Sequence, residues 1–219
     1  MALNAGIDEV HKCPVLGSIY LCIAIVPDCN NDYLKEIGVK DSKLIGRSKL
    51  HTLAKELSVY EHKVLKISAE EISKAENLNL LEVMYIIKLI KWANKFKPNF
   101  IYLDCLTANV QTCYNYFYQL GFKQKNLRII SKADEKILSV QAASIIAKYY
   151  SDKEMERLKE RFPDMGSGEP HDMQTRRFIY SAIKENNGEK LKIIRKNWET
   201  YKREYRRCLA CLTGSKKKN

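Results

Sequence analysis

The order in which hydrophobic periodicity changes along this chain restricts its fold more than any single motif does. Short apolar runs come first: residues 3–8, then Gly17-Ser-Ile-Tyr-Leu-Cys-Ile-Ala-Ile-Val26 closed by Pro27-Asp28, then the alternating stretch 59–67. Each reads as a strand, and three strands ahead of any long helix predict an antiparallel start to a sheet. Beyond Pro98 the pattern becomes strand then helix: a strand over 100–103, a helix over 108–120, a strand over 127–131 and a helix over 141–161. Alternation of that kind gives parallel strands. The chain therefore reads as α/β: a mixed five-stranded sheet, antiparallel across its first three strands and flanked by helices.

Between the second and third strands, Ile37-Gly-Val-Lys-Asp-Ser-Lys-Leu44 reads as a polar loop leading into a helix near 47–57. Ser68-Ala-Glu-Glu71 is a capping box. Asn79 with Glu82 repeats that signature and opens a helix with apolar positions at Leu80, Met84, Ile87 and Trp92, ending before Pro98. Repeats and long linkers are absent from the sequence. The expected organisation is one catalytic domain over 1–185, a basic helical extension over 186–213 packed on it, and a disordered basic tail over 214–219.

Carboxylates stand where the strands end. Asp8 and Glu9 follow the first, Asp104 closes Phe100-Ile-Tyr-Leu-Asp104, and Asp134 comes just after the strand over 127–131. Buried acids are costly unless a cation neutralises them. The candidates are a Lys or Arg partner or a divalent metal. Adjacent strand residues face opposite ways, so Asp8 and Glu9 share a site only if the strand ends or bends between them. Taken singly, each Asp also reads as a cap or strand terminator. Taken together, four carboxylates at one sheet edge call for hard cations with oxygen ligands, Mg²⁺ or Mn²⁺.

The charge balance points the same way. The 219-residue chain has a formal net charge of +12, which suits a polyanionic partner such as nucleic acid. Eleven Lys/Arg against two Glu lie between Lys190 and Lys218, interleaved with Trp198, Tyr201 and Tyr205. This segment is the expected duplex-holding surface, with Lys190, Lys192, Arg195, Lys196 and Lys202 toward phosphates and Trp198 as anchor or core. Lysines 216–218 would add salt-sensitive affinity. No apolar run approaches the length of a membrane span or a signal peptide. Seven irregularly spaced cysteines fit reduced thiols inside a cell. Cys208-Leu-Ala-Cys211 lacks the second ligand pair that structural zinc needs.

Several stretches are similar to one family in the family's own order. Ala5-Gly-Ile-Asp-Glu9 with Pro14-Val-Leu-Gly17 resembles the opening motif of type 2 ribonucleases H, meaning ribonuclease HII and the catalytic subunit of eukaryotic ribonuclease H2. Val39-Lys-Asp-Ser-Lys-Leu44, Tyr102-Leu-Asp-Cys105, Lys132-Ala-Asp-Glu-Lys136 and Ser139-Val-Gln-Ala-Ala-Ser-Ile-Ile-Ala-Lys148 resemble later blocks. Gly166-Ser-Gly-Glu-Pro-His-Asp172 and Arg195-Lys-Asn-Trp198 complete the series, which covers roughly 5–200. With no domain ahead of the first block, type 2 fits better than type 3, and the wording of the blocks is archaeal or eukaryotic.

The resemblance implies an RNase H-like fold and a metal-dependent endoribonuclease. Its substrates would be the RNA strand of RNA/DNA hybrids, or ribonucleotides embedded in duplex DNA. The products would carry 5′-phosphate and 3′-hydroxyl ends. The four carboxylates map onto Asp8, Glu9, Asp104 and Asp134, with two Mg²⁺ or Mn²⁺ ions between them. Substrate-contacting positions map onto His11, Lys12, Cys13, Ser42, Lys43, Lys148, Glu169, Arg195 and Lys196. The implied setting is cytoplasmic, or nuclear in a eukaryote, with the chain a monomer and accessory subunits left open.

Three positions depart from the family. His11-Lys12-Cys13 stands where Gly-Arg-Gly reads the ribonucleotide 2′-OH, and two side chains are added where backbone must come close. Glu169 replaces a Tyr that packs on the sugar at the RNA–DNA junction, and Ser131 replaces a His. These changes touch substrate reading and leave the four acids intact, so altered or weakened selectivity for a single embedded ribonucleotide is expected. The competing readings are a catalytically weak nucleic-acid-binding homologue or complex subunit, and a different nuclease of the same superfold.

Overall fold

In the computed structural model, residues 2–214 are described. The strands are β1 (Leu3–Val10), β2 (Ile19–Pro27), β3 (His62–Ile67), β4 (Phe100–Asp104) and β5 (Leu127–Ile130). The helices are α1 (Asn31–Ile37), α2 (Arg47–Leu57), α3 (Ala69–Lys74), α4 (Leu78–Ala93), α5 (Val110–Gln119), α6 (Leu138–Arg161), α7 (Met173–Lys184), α8 (Gly188–Lys192) and α9 (Glu199–Gly214). The strands form one sheet in the order β3-β2-β1-β4-β5. β1 runs antiparallel to β2 and parallel to β4, and β4 runs parallel to β5. The change of periodicity after Pro98 thus marks the change from antiparallel to parallel pairing.

The described residues group into two compact units. The first comprises the chain up to Val10, Tyr20–Lys66 and Asn77–Ser151; the second comprises His11–Ile19, Ile67–Glu76 and the chain from Asp152 onward.

In the first unit, β1 is flanked by β2 and β4, and its Ala5 and Ile7 are fully buried. Gly6 permits a close helix–sheet contact: a Cβ there would lie 2.1 Å from the Ser139 carbonyl carbon and 2.2 Å from the Val140 nitrogen. Only glycine lets α6 begin directly against β1. The run from Ser139 to Ala147 is consequently buried without a break. On β2 the alternate residues Tyr20, Cys22, Ala24 and Val26 pack with Leu50, Leu53, Ala54 and Leu57 of α2 and with Ala142, Ala143 and Ile146 of α6. Period two on the strand thus meets the i, i+3, i+4 face of each helix.

Three local details differ from the sequence reading. β1 continues through Val10, paired with Tyr20, so the strand does not end between Asp8 and Glu9. β3 starts at His62, because the Ser58, Val59 and Tyr60 amides bond back to Lys55, Glu56 and Leu57 carbonyls and prolong the end of α2. The cap of α4 is Asn77, which takes the extended backbone a cap requires and accepts from the Leu80 amide at 3.1 Å. The buried face of α4 is accordingly Val83, Ile86, Leu89, Ile90 and Ala93, while Met84 is exposed. The capping box at Ser68 and Glu71 forms as expected.

The second unit has its own core of Val15, Leu16, Phe162, Met165, Phe178, Ile179, Ala182 and Ile194, with Trp198 and Tyr201 packed at its margin. α7 and α9 are joined through Glu204, which is buried and accepts from Arg176 Nε at 2.9 Å, with Arg207 Nη1 3.5 Å away. Part of the basic C-terminal segment therefore neutralises an acid of its own. Lys190 does likewise: it pairs with Asp164 at 3.1 Å and lies over the Phe178 ring, rather than standing clear toward phosphate. The expected tail lies, from residue 215 onward, outside the described residues. Among the described residues no helix is long and apolar enough to cross a membrane.

Candidate active site

The parallel strands deliver three of the expected acids to one place. Asp8, near the end of β1 and opposite Cys22 of β2, is 4 % exposed. Asp104 is the last residue of β4 and pairs with Ile130, the last of β5. Asp134 sits in the 3-10 turn Ala133–Glu135 that follows β5, and it is 5 % exposed. That turn is tied back to β4, because the Ala133 amide donates to Asp104 Oδ1 at 2.7 Å.

Each acid is held by a different neighbour. The Ser144 hydroxyl, on the buried stretch of α6, hydrogen-bonds the Asp8 carboxylate. Ser144 also meets Ser42 Oγ at 2.9 Å. Ser42 opens the 3-10 turn Ser42–Leu44, which Asp41 caps by accepting from the Lys43 amide at 2.9 Å. The same turn aims Lys43, whose Nζ donates to Asp134 Oδ2 at 2.8 Å. Lys148 lies one turn beyond Ser144 on α6 and is half-buried. Ser42, Lys43 and the acids are therefore gathered by β1, β4, α6 and two short turns.

The electrostatics follow from burial. Desolvation, with the charges of Asp104 and Asp134 adding to it, pushes the Asp8 carboxyl up to about 7 against the pull of the Ser144 bond. Asp104 is raised mainly by burial and then by the charge of Asp134, while the Ala133 amide and Lys43 oppose the rise. The Asp134 carboxylate in turn raises Lys43. Lys43 thus offsets part of the charge, and the set still favours added positive charge. Its donors are all carboxylate oxygens, the chemistry suited to Mg²⁺ or Mn²⁺. Among the described residues no group of three or more His, Cys, Asp or Glu side chains is arranged so that it could hold a metal ion as it stands. Glu9 is one residue along β1 from Asp8, opposite Leu21, and its charge acts on Cys113 of α5, whose thiol burial pushes up to about 12.

The remaining expected positions lie in the second unit. His11 has φ 68°, a left-handed conformation, and its Nε2 donates to the Leu16 carbonyl at 3.1 Å. Arg195 differs from its expected role. It is 0 % exposed, and its Nε, Nη1 and Nη2 donate to the Gly17, Lys12 and His11 carbonyls at 2.8, 2.9 and 2.7 Å. A guanidinium so enclosed positions the loop and does not reach phosphate. Trp198 Nε1 donates to the Cys13 carbonyl at 2.9 Å. Glu169 and Lys196 are exposed. Glu169 follows Gly168, whose carbonyl accepts from the Val15 amide at 2.8 Å, so the two altered stretches are stitched together. Ser144 escaped notice in the sequence. The signal for it was a hydroxyl inside a helix stretch with no solvent face.

A family model described as Ribonuclease HII matches residues 5–201. The chain is 34% identical over 206 residues to Ribonuclease HII of Thermococcus sibiricus, covering 90% of this chain and 89% of that one. Among solved structures, ribonuclease H2 from Pyrococcus horikoshii is similar with a TM-score of 0.80 and 30% identity, over 94% of this chain and 99% of that one. The ribonuclease HII in the PCNA:RNase HII complex from Archaeoglobus fulgidus is similar with a TM-score of 0.73 and 31% identity, over 90% and 95% respectively.

Proposed function

The chain belongs to the ribonuclease HII family and is an endoribonuclease of that type, and from this premise we propose that it cuts RNA/DNA hybrids and ribonucleotides embedded in duplex DNA with altered selectivity for the single ribonucleotide. The observation that carries the catalytic part is the convergence of buried Asp8 and Asp134 with half-buried Asp104, the Lys43 ammonium lying on Asp134.

Enzymes of this family depend on divalent metal, and Asp8, Asp104 and Asp134 are the residues that would hold Mg²⁺ or Mn²⁺; Glu9, the next residue along an unbroken β1, would join them only with a bend of the strand. Such ions, when bound, would supply Lewis-acid activation of a water and stabilisation of the charge that develops as a phosphodiester is cut. The chain's own groups prepare that set. Ser144 hydrogen-bonds the Asp8 carboxylate, the Ala133 amide fixes Asp104, and Lys43 donates to Asp134. Lys43 is 75% exposed along its side chain, so its ammonium can exchange Asp134 for a substrate phosphate.

The altered selectivity rests on the residues after Glu9. A His side chain stands at a left-handed position that suits glycine, and the exposed Glu169 carboxylate cannot stack on a sugar and repels phosphate.

The test is a substrate panel in Mg²⁺ and in Mn²⁺: a long RNA/DNA hybrid, a duplex with one ribonucleotide, and an all-DNA duplex. Cleavage of the hybrid with poor or displaced incision at the single ribonucleotide is expected. Efficient, clean incision only at the single ribonucleotide overturns the altered selectivity. Asp104→Asn should abolish cleavage and leave duplex binding intact. A parent protein that binds and never cuts is instead the weak or non-catalytic homologue.

A further inference from the structure

Two thiols stand beside Asp104 that the proposed chemistry does not use. Cys105 follows Asp104 at the end of β4 and is half-buried, while Cys113 lies in the first turn of α5 and is 0 % exposed. The short loop between them brings their sulfurs together. Cys113 Sγ accepts from the Leu106 amide, and the Cys113 thiol hydrogen-bonds the Cys105 thiol. Cys105 Sγ also lies 3.9 Å from Thr107 Oγ1. Thr107 spends its own proton on the Asn109 carbonyl at 2.8 Å, so its oxygen is left to accept from Cys105. Asn109 in turn caps α5 by accepting from the Thr112 amide at 3.2 Å, which fixes the turn that carries Cys113.

The pair is joined to the carboxylate set on both sides. The Cys105 amide donates to the Ile130 carbonyl at 3.1 Å and also hydrogen-bonds the Asp104 carboxylate. The charge of Glu9 acts on Cys113. Solvent reaches one sulfur and not the other, so an oxidant meets Cys105 first, with the second thiol already in contact with it.

We propose that Cys105 and Cys113 are a redox modification site, a dithiol that a peroxide closes to a disulfide. The Cys105 sulfur attacks the peroxide, the O–O bond breaks, and Cys105 becomes a sulfenic acid with release of water. The Cys113 sulfur then attacks the Cys105 sulfur. The S–S bond forms, the S–O bond breaks, and the hydroxyl leaves with the Cys113 proton as a second water. The dithiol loses two electrons and one hydrogen peroxide is reduced to two waters. An added thiol reopens the bond by exchange. Closing the contact to an S–S bond of about 2 Å draws Cys105 toward α5 and strains the bonds of its amide to Asp104 and Ile130. Only this consequence for Asp104 rests on the nuclease reading above; the thiol chemistry stands apart from it.

The experiment treats the full chain with hydrogen peroxide in the absence of metal ions, caps the remaining thiols and maps linked peptides by mass spectrometry. Mapping by peptide is needed because Cys13, Cys29 and Cys211 are exposed and meet peroxide too. Cleavage of an RNA/DNA hybrid in Mg²⁺ is then measured before and after dithiothreitol. A peptide pair joined through Cys105 and Cys113 is expected. Cleavage should fall by about 100-fold, the scale for misplacing a reacting group by about 1 Å, and return with dithiothreitol. Cys113→Ala should stop at a sulfenic acid on Cys105, captured by dimedone. Cys105→Ser should cleave equally before and after peroxide, and it decides the matter should Cys113→Ala fail to fold. Oxidised parent protein without the Cys105–Cys113 link overturns the site. A linked pair with unchanged cleavage, or a peroxide loss that persists in C105S, overturns its control of Asp104. The two readings separate: a missing link in a chain that cuts ribonucleotides removes the dithiol alone. A mapped, reducible link in a chain that cuts nothing keeps the dithiol and removes the ribonuclease.

Discussion

The Arg195 guanidinium, without solvent exposure, donates from Nη2 to the His11 carbonyl at 2.7 Å. Nη1 takes the next carbonyl, Lys12, and the Trp198 ring over which Arg195 stacks takes the one after, Cys13. Three consecutive carbonyls of the loop after Glu9 are thus held by two residues nearly two hundred positions later. The basic C-terminal segment owes one of its charges to folding rather than to binding.

Arg195→Ala should therefore destabilise the protein by several kcal/mol, at about 1–3 kcal/mol for each buried carbonyl left without a donor. Arg195→Lys should recover little, because one ammonium cannot reproduce a planar fork across three acceptors. Denaturant unfolding followed by circular dichroism measures both. A change below about 1 kcal/mol, the range of an exposed contact, would show that the carbonyls find other donors.

Ser144 acts on metal binding through Asp8. Its hydroxyl favours the ionised carboxylate that burial opposes. Ser144→Ala should raise the Mg²⁺ or Mn²⁺ concentration for half-maximal cleavage by about 10- to 100-fold, the range for loss of a group that orients a metal ligand. The maximal rate should return at high metal. A lowered maximal rate with unchanged metal dependence would place Ser144 elsewhere in the reaction.

How far the sequence foretold this site depends on which physical rule each residue obeys. Asp104 and Asp134 were legible because strand ends in a parallel sheet converge by topology. The Gly6 approach was not, since an isolated glycine in a strand gives no sign of which helix will press on it. Asn77 displaced Asn79 as a cap because two Asn residues lie within one turn and only backbone geometry chooses between them. Arg195 misled most. In sequence it belongs to a run of cations, and composition cannot distinguish a charge that faces water from one spent on carbonyls. Ser144 sits inside a stretch whose family resemblance was plain, yet its role needed Asp8 beside it in space.

Asp172 gives the acid limb of stability. Its carboxylate caps α7 by accepting from the Gln174 amide at 2.9 Å, and it also accepts from the Ser167 amide and hydroxyl and from Thr175 Oγ1. The two Ser167 bonds hold it well below the usual carboxylate range. A depressed carboxyl in the fold binds fewer protons than the unfolded chain near pH 4, so stability rises with pH there. The contribution is complete above the ordinary Asp value of about 3.9 and is lost as pH falls through the lower folded value. Asp172→Ala should cost about 1–2 kcal/mol at neutral pH, and its deficit against the parent should shrink as the solution is acidified. A deficit independent of pH would mean that the side chain acts by packing alone.

The loop substitutions can be reversed to test selectivity. At φ 68°, His11 bears the left-handed penalty of a residue with a Cβ, about 1–2 kcal/mol. It recovers part of that through the Leu16 carbonyl, a bond worth about 0.5–1.5 kcal/mol. His11→Gly exchanges one for the other and should leave the unfolding midpoint nearly unchanged, so any change in cleavage belongs to recognition. H11G/K12R/C13G, which removes both side chains and restores a planar guanidinium, should raise kcat/KM at a single ribonucleotide relative to the long hybrid by about tenfold, or about 1.4 kcal/mol. Adding Glu169→Tyr replaces a repelling carboxylate with a ring, and stacking of about 1–3 kcal/mol should raise the ratio again. Because the amide of Val15 ties the loop to Gly168, the combined gain should depart from the sum of the two separate gains, as coupled neighbours do. A ratio that stays at the parent value in the four-fold variant would place the selectivity of this chain outside both stretches.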